Sequence, residues 1–175
     1  MSALPVVVNS IFEYIDSKSV MCLSTAGFDA PETAAGGSGD GFARTAEAVN
    51  LRLRSTPVFF ARRDKSFYFI SVSKTVHAVN ILQNPNISAA VTENYHNYRE
   101  IRGVQIFGRC AEIEKLPAIA RAALIYFSKF SDLKSFMQPD ILKSALDISW
   151  YELSAERLIY TDNSVRFGYK EEIEL

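Results

Sequence analysis

The sequence predicts a mainly β protein, an antiparallel sheet that closes or nearly closes on itself, with helices packed on its outside. Three observations carry this reading. Strand-like segments outnumber helical ones. Most are joined by short turns, which antiparallel neighbours allow and parallel neighbours do not. Gly108 falls inside the longest strand-like run, where a bend or bulge lets a sheet curl towards closure. With 175 residues, 48% of them hydrophobic and 22% charged, the chain is read as one domain with a proper core.

Each element follows from local pattern. Pro5, three residues after Ser2, marks a helix start, and Val8, Ile11, Phe12 and Ile15 recur at helical spacing. Ser19–Thr25 reads as a buried strand. From Gly27 to Asn50 the composition shifts to Gly, Ala and Asp, and the stretch is read as a mobile insertion or, alternatively, a functional lid. Leu51–Arg63 is the second strand, with Pro57 placing it at an edge or bulge. Asp64-Lys65 turns the chain into Ser66–Val72. A helix over about Thr75–Gln83 stops at Asn84-Pro85 and leads into the strand Ile87–Glu93.

After a polar aromatic connection comes the long strand Ile101–Glu114. Lys115–Phe130 is an amphipathic helix expected to bury Leu116, Ile119, Ala120, Ala123, Phe127 and Phe130. Ser131 and Asp132 can cap a further helical segment, interrupted by Pro139. Ile148–Leu153 and Arg157–Tyr160 are the last strands, followed by a turn at Thr161-Asp162-Asn163 and the tail Val165–Leu175. Trp150 and Tyr151 read as core or interface aromatics.

Composition excludes several classes. A net charge of −1 lacks the basic excess that nucleic acid or an anionic membrane requires. No apolar run approaches the roughly 18–20 residues of a membrane span. The N-terminus has no secretory pattern, and a cytoplasmic protein is expected. Cys22 and Cys110 lie in apolar strand-like runs and read as reduced, buried thiols. Two histidines, His77 and His96, and two separated cysteines give no metal-site spacing.

The most informative stretch is Ser66–Glu93: aromatic strand, Ser-Lys-Thr turn, helix, strand. It sets Ser71, Ser73, Lys74 and Thr75 at a helix start, where unpaired N–H groups and the helix dipole favour an anion, most simply a phosphate. The competing reading is a simple helix cap with Lys74 solvated. His77 would gain a proton beside a phosphate, or is a surface helix residue. Arg52 and Arg54 alternate with Leu51 and Leu53, which a solvated edge face explains equally well. Gln105, among Val104, Ile106 and Phe107, is a polar amide that needs partners.

In their order and spacing, F-Y-F-I-S-V-S-K-T-x-H-A, N-P-N-I-S-A-A-V and I-R-G-V-Q-I-F-G-R resemble the pyridoxamine 5'-phosphate oxidase-like, FMN-binding split-barrel superfamily. The resemblance runs from about Ser19 to Phe167, apart from Gly27–Asn50. I-R-G-V-Q and the C-terminal T-D-N-S-V-R-F-G-Y-K are similar to a branch of small uncharacterised proteins within it. It implies a six-stranded antiparallel Greek-key split barrel with flanking helices. It also implies a homodimer holding FMN in two clefts at the interface.

Carried over, Arg52–Pro57, including Arg54, Ser55, Thr56 and Pro57, would face the flavin. Ser71, Ser73, Lys74 and Thr75 would surround the phosphate, with His77 where the oxidases place a basic residue. Arg102, Gly103 and Gln105 would approach the ring or ribityl chain from one subunit and Asn163–Gly168 from the other. The chain departs from the oxidases by having Val76 and His77 for their Arg-Lys pair and Gly103 for a Gln. The oxidases' own reaction is therefore not expected. The leading reading is an FMN-dependent oxidoreductase acting on a small organic molecule, with no metal. The alternatives are a non-catalytic flavin- or haem-binding or sensing dimer, and a cofactor-free dimeric module.

Overall fold

A computed structural model describes residues 4–28, 51–132 and 148–175. In chain order they form α1 (Leu4–Asp16), β1 (Val20–Phe28), β2 (Leu51–Phe59), β3 (Ala61–Arg63), β4 (Ser66–Val72), α2 (Val76–Gln83) and β5 (Asn86–Thr92). A 3-10 turn at Tyr98–Glu100 precedes β6 (Arg102–Glu112), α3 (Leu116–Lys129), β7 (Ile148–Asp162) and β8 (Lys170–Glu174). Every strand pair is antiparallel, in the order β2-β1-β5-β6-β7-β4-β3. One edge of β7 serves two partners: Ile148–Ser154 pairs with β4 and Arg157–Thr161 with β8.

The strands at the two ends of this order, β2 and β3, are separated in the chain by Phe60 alone. The chain thus carries one edge of the sheet round to the other while the ladder between them stays open, a split barrel. The continuous strand expected over Leu51–Arg63 is broken at Phe60. This residue is fully buried, packs on Phe67 with ring centroids 5.8 Å apart, and donates its N–H to Ser19 O. Among the described residues eight strands stand where six were expected, because β3 is split from β2 and the tail adds β8. Pro57 does lie in an edge strand, where a missing N–H costs no ladder bond.

Strand alternation sends residues to two cores. Met21, Leu23, Phe67, Phe69, Val91, Ile106, Leu153 and Leu158 fill the barrel with Ile11 and Ile15 of α1. Ala61, Tyr68 and Trp150 instead point outward and meet Ala122 and Tyr126 of α3. Trp150 and its neighbour Tyr151 divide between the two: Tyr151 stacks on Phe69 at 5.2 Å, and Trp150 takes Tyr126 edge-on at 5.5 Å. The buried stripe of α3 is therefore rotated from the expected one. Leu116 is 79% exposed and Ala120 is exposed, while Tyr126 lies among Phe127, Phe130 and Trp150. A helical pattern that counts Tyr as polar misses this, because its ring buries as well as a Phe ring.

Arg157–Tyr160 and Ile148–Leu153 belong to one strand, β7, which absorbs an irregularity instead of ending. Phe107 faces Arg157 and Gly108 faces Ala155, so Glu156 is the extra residue of a bulge. Gly108 makes it possible: a Cβ there would overlap the Ser154 carbonyl oxygen and stand 2.9 Å from Ala155 Cα. Gly27 and Phe28 belong to β1, paired with Arg52 and Leu51. The rest of the stretch read as an insertion, and the helical segment around Pro139, lie outside the described residues.

Cys22 is half-buried on the outward face of β1 and Cys110 is buried on the inward face of β6, with β5 between those strands. A bond within one chain has no geometry there. Burial, reinforced by the Glu152 charge, pushes the Cys110 thiol up to about 12. In native protein at about pH 8 a thiol reagent should leave Cys110 untouched and modify it only after unfolding. Prompt native labelling would mean that this part of the barrel opens readily.

Candidate functional site

Two rows of alternating side chains lead out of the barrel core to its mouth. On β4 the inward row runs Phe67, Phe69, Ser71, and on β2 it runs Val58, Thr56, Arg54, Arg52. Both rows pass from hydrocarbon to polar groups where the split opens, and the N-terminus of α2 meets them there. Ser71 Oγ lies 2.6 Å from His77 Nε2 and 3.2 Å from Thr75 Oγ1, which is itself 3.2 Å from His77 Nε2. His77 is 7% exposed. Burial first, and then the Arg54 guanidinium, hold its imidazole below the usual value, so the neutral form is favoured.

Thr75 occupies the N-cap position of α2, but its side chain makes no capping bond and donates instead to Val72 O at 2.9 Å. The simple helix-cap reading of this turn thus loses its best candidate. The helix start keeps its dipole, with Arg54, Lys74, Ser71 and His77 around it. One β2 group nearby is also unsatisfied: Thr56 Oγ1 is buried and has no hydrogen-bond partner.

What fixes α2 in the split is a residue that the sequence pattern passed over. Asn80, fully buried, accepts from Arg52 Nε at 3.1 Å and Nη2 at 3.0 Å. Its amide donates to Thr25 Oγ1 at 3.1 Å and to Arg52 O at 3.3 Å. One side chain therefore ties α2 to β1 and β2. Gly27 permits the approach, since a Cβ there would run into the side chains of Asn80 and Gln83. The available signal was spacing: Asn80 follows His77 by three residues on the helix, beside Ile81 on the buried face. Arg52, read as equally consistent with a solvated face, is half-buried and held.

The remaining expected site residues are dispersed. Ser55 and Pro57 point outward from β2, and Ser55 and Arg54 line a cleft of about 660 Å³ with Ser24, Ser88 and Phe107. Ser73 lines a different cavity beside Ala78, Leu82 and Tyr151. Gln105 is exposed on the outward face of β6, between Ala90 and Ile159, while Arg102 faces the other way. Arg102 pairs with Asp162 at 3.4 Å, next to Asn163, whose N–H bonds Ile101 O. Asp162 also accepts from Tyr160 Oη at 2.8 Å and from Ser164, bonds that hold its carboxyl below the usual range against the opposing effect of burial.

Along β7, Ser71 is opposite Ser149 and Arg102 opposite Asp162. At about 3.3 Å per residue the two registers are roughly 40 Å apart measured along the strand. The hydroxyl–imidazole cluster and the Arg102–tail region are thus remote from each other within one chain, whereas Arg102 and the tail are adjacent.

Comparison with protein-family models and with curated proteins gives no match. Solved structures do match. A FAD-binding protein from Mesorhizobium loti is 18% identical, with 90% of this chain and 92% of that one covered at a TM-score of 0.57. A candidate pyridoxamine 5'-phosphate oxidase from Listeria innocua is 11% identical, covering 89% and 98%, TM-score 0.60. A heme binding protein from Mycobacterium smegmatis is 13% identical over 92% of this chain, TM-score 0.60; the alignment spans 55% of that protein. Likeness at such identity shows the fold, and the fold is the split barrel expected from the sequence.

Among the described residues no helix is long and apolar enough to cross a membrane, and no group of three or more His, Cys, Asp or Glu could hold a metal ion.

Proposed function

We propose that the chain binds a phosphorylated flavin, FMN, at the mouth of the split barrel and serves as a flavin-dependent oxidoreductase on a small organic molecule. The observation that carries the reading is the convergence of Arg54, Ser71, Thr75 and His77 at the uncapped start of α2. The donor set fits a phosphate: the Ser71 hydroxyl, held by Thr75 and His77, the Arg54 guanidinium and the N–H groups at the start of α2, with Lys74 in the adjoining turn. The FAD-binding protein from Mesorhizobium loti, which shares the fold, supplies the precedent for a flavin.

When bound, the flavin supplies the redox chemistry; the residues of the chain hold and orient it. Arg54 and Lys74 neutralise phosphate charge, Ser71 donates to a phosphate oxygen, and the α2 N–H groups add theirs. Thr56 Oγ1, buried without a partner, stands on the same β2 face two residues from Arg54. A haem would call instead for an axial ligand; His77 Nε2 is engaged by Ser71, and His96 is exposed in the connection before β6.

The reading includes a homodimer, which two features support. The cluster at Ser71 and the region of Arg102 and the tail would serve one cleft only if different copies supplied them. The outward face of β1 and β2 also leaves Val20, Phe28, Leu51, Leu53 and Phe59 exposed, with Leu53 at 71%, a patch of the kind that subunit contacts cover.

The test is flavin titration. FMN at micromolar concentration should be quenched and should raise the melting temperature, and Lys74→Ala should weaken FMN about tenfold but riboflavin less than twofold. No quenching and no thermal shift, or equal losses for the two flavins, would remove the phosphate site from consideration.

A further inference from the structure

We infer that His77 makes phosphate binding proton-linked: it positions the Ser71 hydroxyl towards the phosphate and takes up a proton as the phosphate seats. The inference rests on the phosphate-site reading and goes beyond it, since it assigns the site a pH response that its other cationic groups lack.

Thr75 has one hydroxyl proton, and it goes to Val72 O. Its oxygen can then only accept in its contacts with Ser71 Oγ and His77 Nε2. If Nε2 carried no proton, Ser71 would donate to it across the 2.6 Å contact, and Thr75 Oγ1 would face two lone pairs. If Nε2 carries the proton, the imidazole donates to Ser71 Oγ, and Ser71 donates to Thr75. The second arrangement leaves no lone pair against another, so the geometry selects Nε2–H. It also leaves the Ser71 proton in a weak 3.2 Å contact, ready to turn to an anion at the mouth.

The charge around His77 decides what happens next. From β2 comes Arg54, a cation, with Arg52 one helical turn further along, held on Asn80. The turn contributes Lys74 and Thr75, β4 contributes Ser71, and β1 brings Thr25 and Gly27, both neutral. Glu112 at the end of β6, Glu114 just beyond it and the Cys110 thiol line a cavity with Ser73, Ala78, Val79 and Leu82, and Glu112 accepts at 2.6 Å from Ser149, the β7 partner of Ser71. Burial and the Arg54 guanidinium both disfavour an imidazolium at this place and keep the ring neutral without ligand. A phosphate dianion would add a counter-charge beside the ring and favour its protonation.

The sign follows. Without ligand, protonating His77 opposes Arg54 and burial, so folded protein loses stability as pH falls below the ordinary histidine value. With phosphate present the bound state takes up the proton more readily than the free state, so affinity rises on acidification. The phosphate monoester itself gains a proton near pH 6, so the informative window lies above about 6.5.

The experiment compares FMN with riboflavin by fluorescence quenching at about pH 6.5 and 8.5, on wild type and on His77→Gln, whose amide can still donate to Ser71. FMN should bind the wild type at least about fivefold more tightly at the lower pH, riboflavin should change less than twofold, and the FMN slope should vanish in the variant. Calorimetry of the wild type in two buffers of different ionisation enthalpy should report net proton uptake on FMN binding, a readout that does not depend on the variant folding. FMN that binds more tightly than riboflavin with no pH slope and no proton uptake overturns the role of His77 while leaving the phosphate site standing. FMN that binds no better than riboflavin at either pH overturns both.

Discussion

Replacing Asn80 with leucine is expected to cost about 3 kcal/mol of folding stability and to weaken FMN far more than riboflavin. The side chain accepts two charge-assisted bonds from Arg52 and donates to Thr25, which is 3% exposed, and to Arg52 O. Leucine fills a similar volume, so the loss comes from polar groups rather than from a void. A buried hydroxyl without its donor costs about 1–3 kcal/mol, and a lost bond to a charged group a similar amount. Arg52 would keep contacts elsewhere, which limits the total. The functional effect has the same origin: without the tie to β1 and β2, α2 no longer presents its N-terminus at a fixed place beside Ser71 and Arg54. Urea melts and flavin titrations measure the two effects separately. A variant within about 1 kcal/mol of wild type would show that α2 is held by apolar packing alone.

Gly108→Ala should be worse still, about 3 kcal/mol or more, because its added methyl meets backbone rather than a movable side chain. The atoms in the way are the Ser154 carbonyl and Ala155 Cα, both inside the β6–β7 ladder, which is the longest pairing in the sheet. Relief would require the bulge at Glu156 to shift and the two strands to part. Gly103→Ala on the same strand is the control: its Cβ would come no closer than 3.5 Å to Val91 O and 3.6 Å to Thr92 Oγ1, and the change should be near neutral. Thermal melts of the pair test the contrast; equal stability would mean that β6 does not bend as described.

The sheet, the order of the elements and the bulge at Gly108 were legible in the sequence because alternation, turns and a mid-strand glycine are local signals. The break at Phe60 was not, since a buried Phe continues a strand pattern whether or not the strand turns a corner. Within the site, Ser71, Thr75, His77 and Arg54 were all named from the sequence, and the structure brings them together. Asn80 and Thr25 were missed, because a polar residue on an apolar face declares itself only when its partner strand is known. Arg102 and the tail illustrate the opposite limit. Their adjacency depends on β7 running unbroken from Ile148 to Asp162, and the sequence read that strand as two.

The two edges of the open sheet also constrain how copies of this chain can meet. β2 carries Pro57, which has no N–H to offer, and β3 is three residues long and flows directly into the Asp64-Lys65 turn. Neither is a good template for a foreign strand, and Phe60 ties each to the other. Side-by-side strand addition, the route to runaway polymerisation for an unclosed sheet, is therefore blunted at these two edges, while the outer edge of the five-residue β8 is a third. For the homodimer proposed above, the outward face of β1 and β2 is the surface that would serve, since two molecules covering it would leave no further copy of the patch exposed.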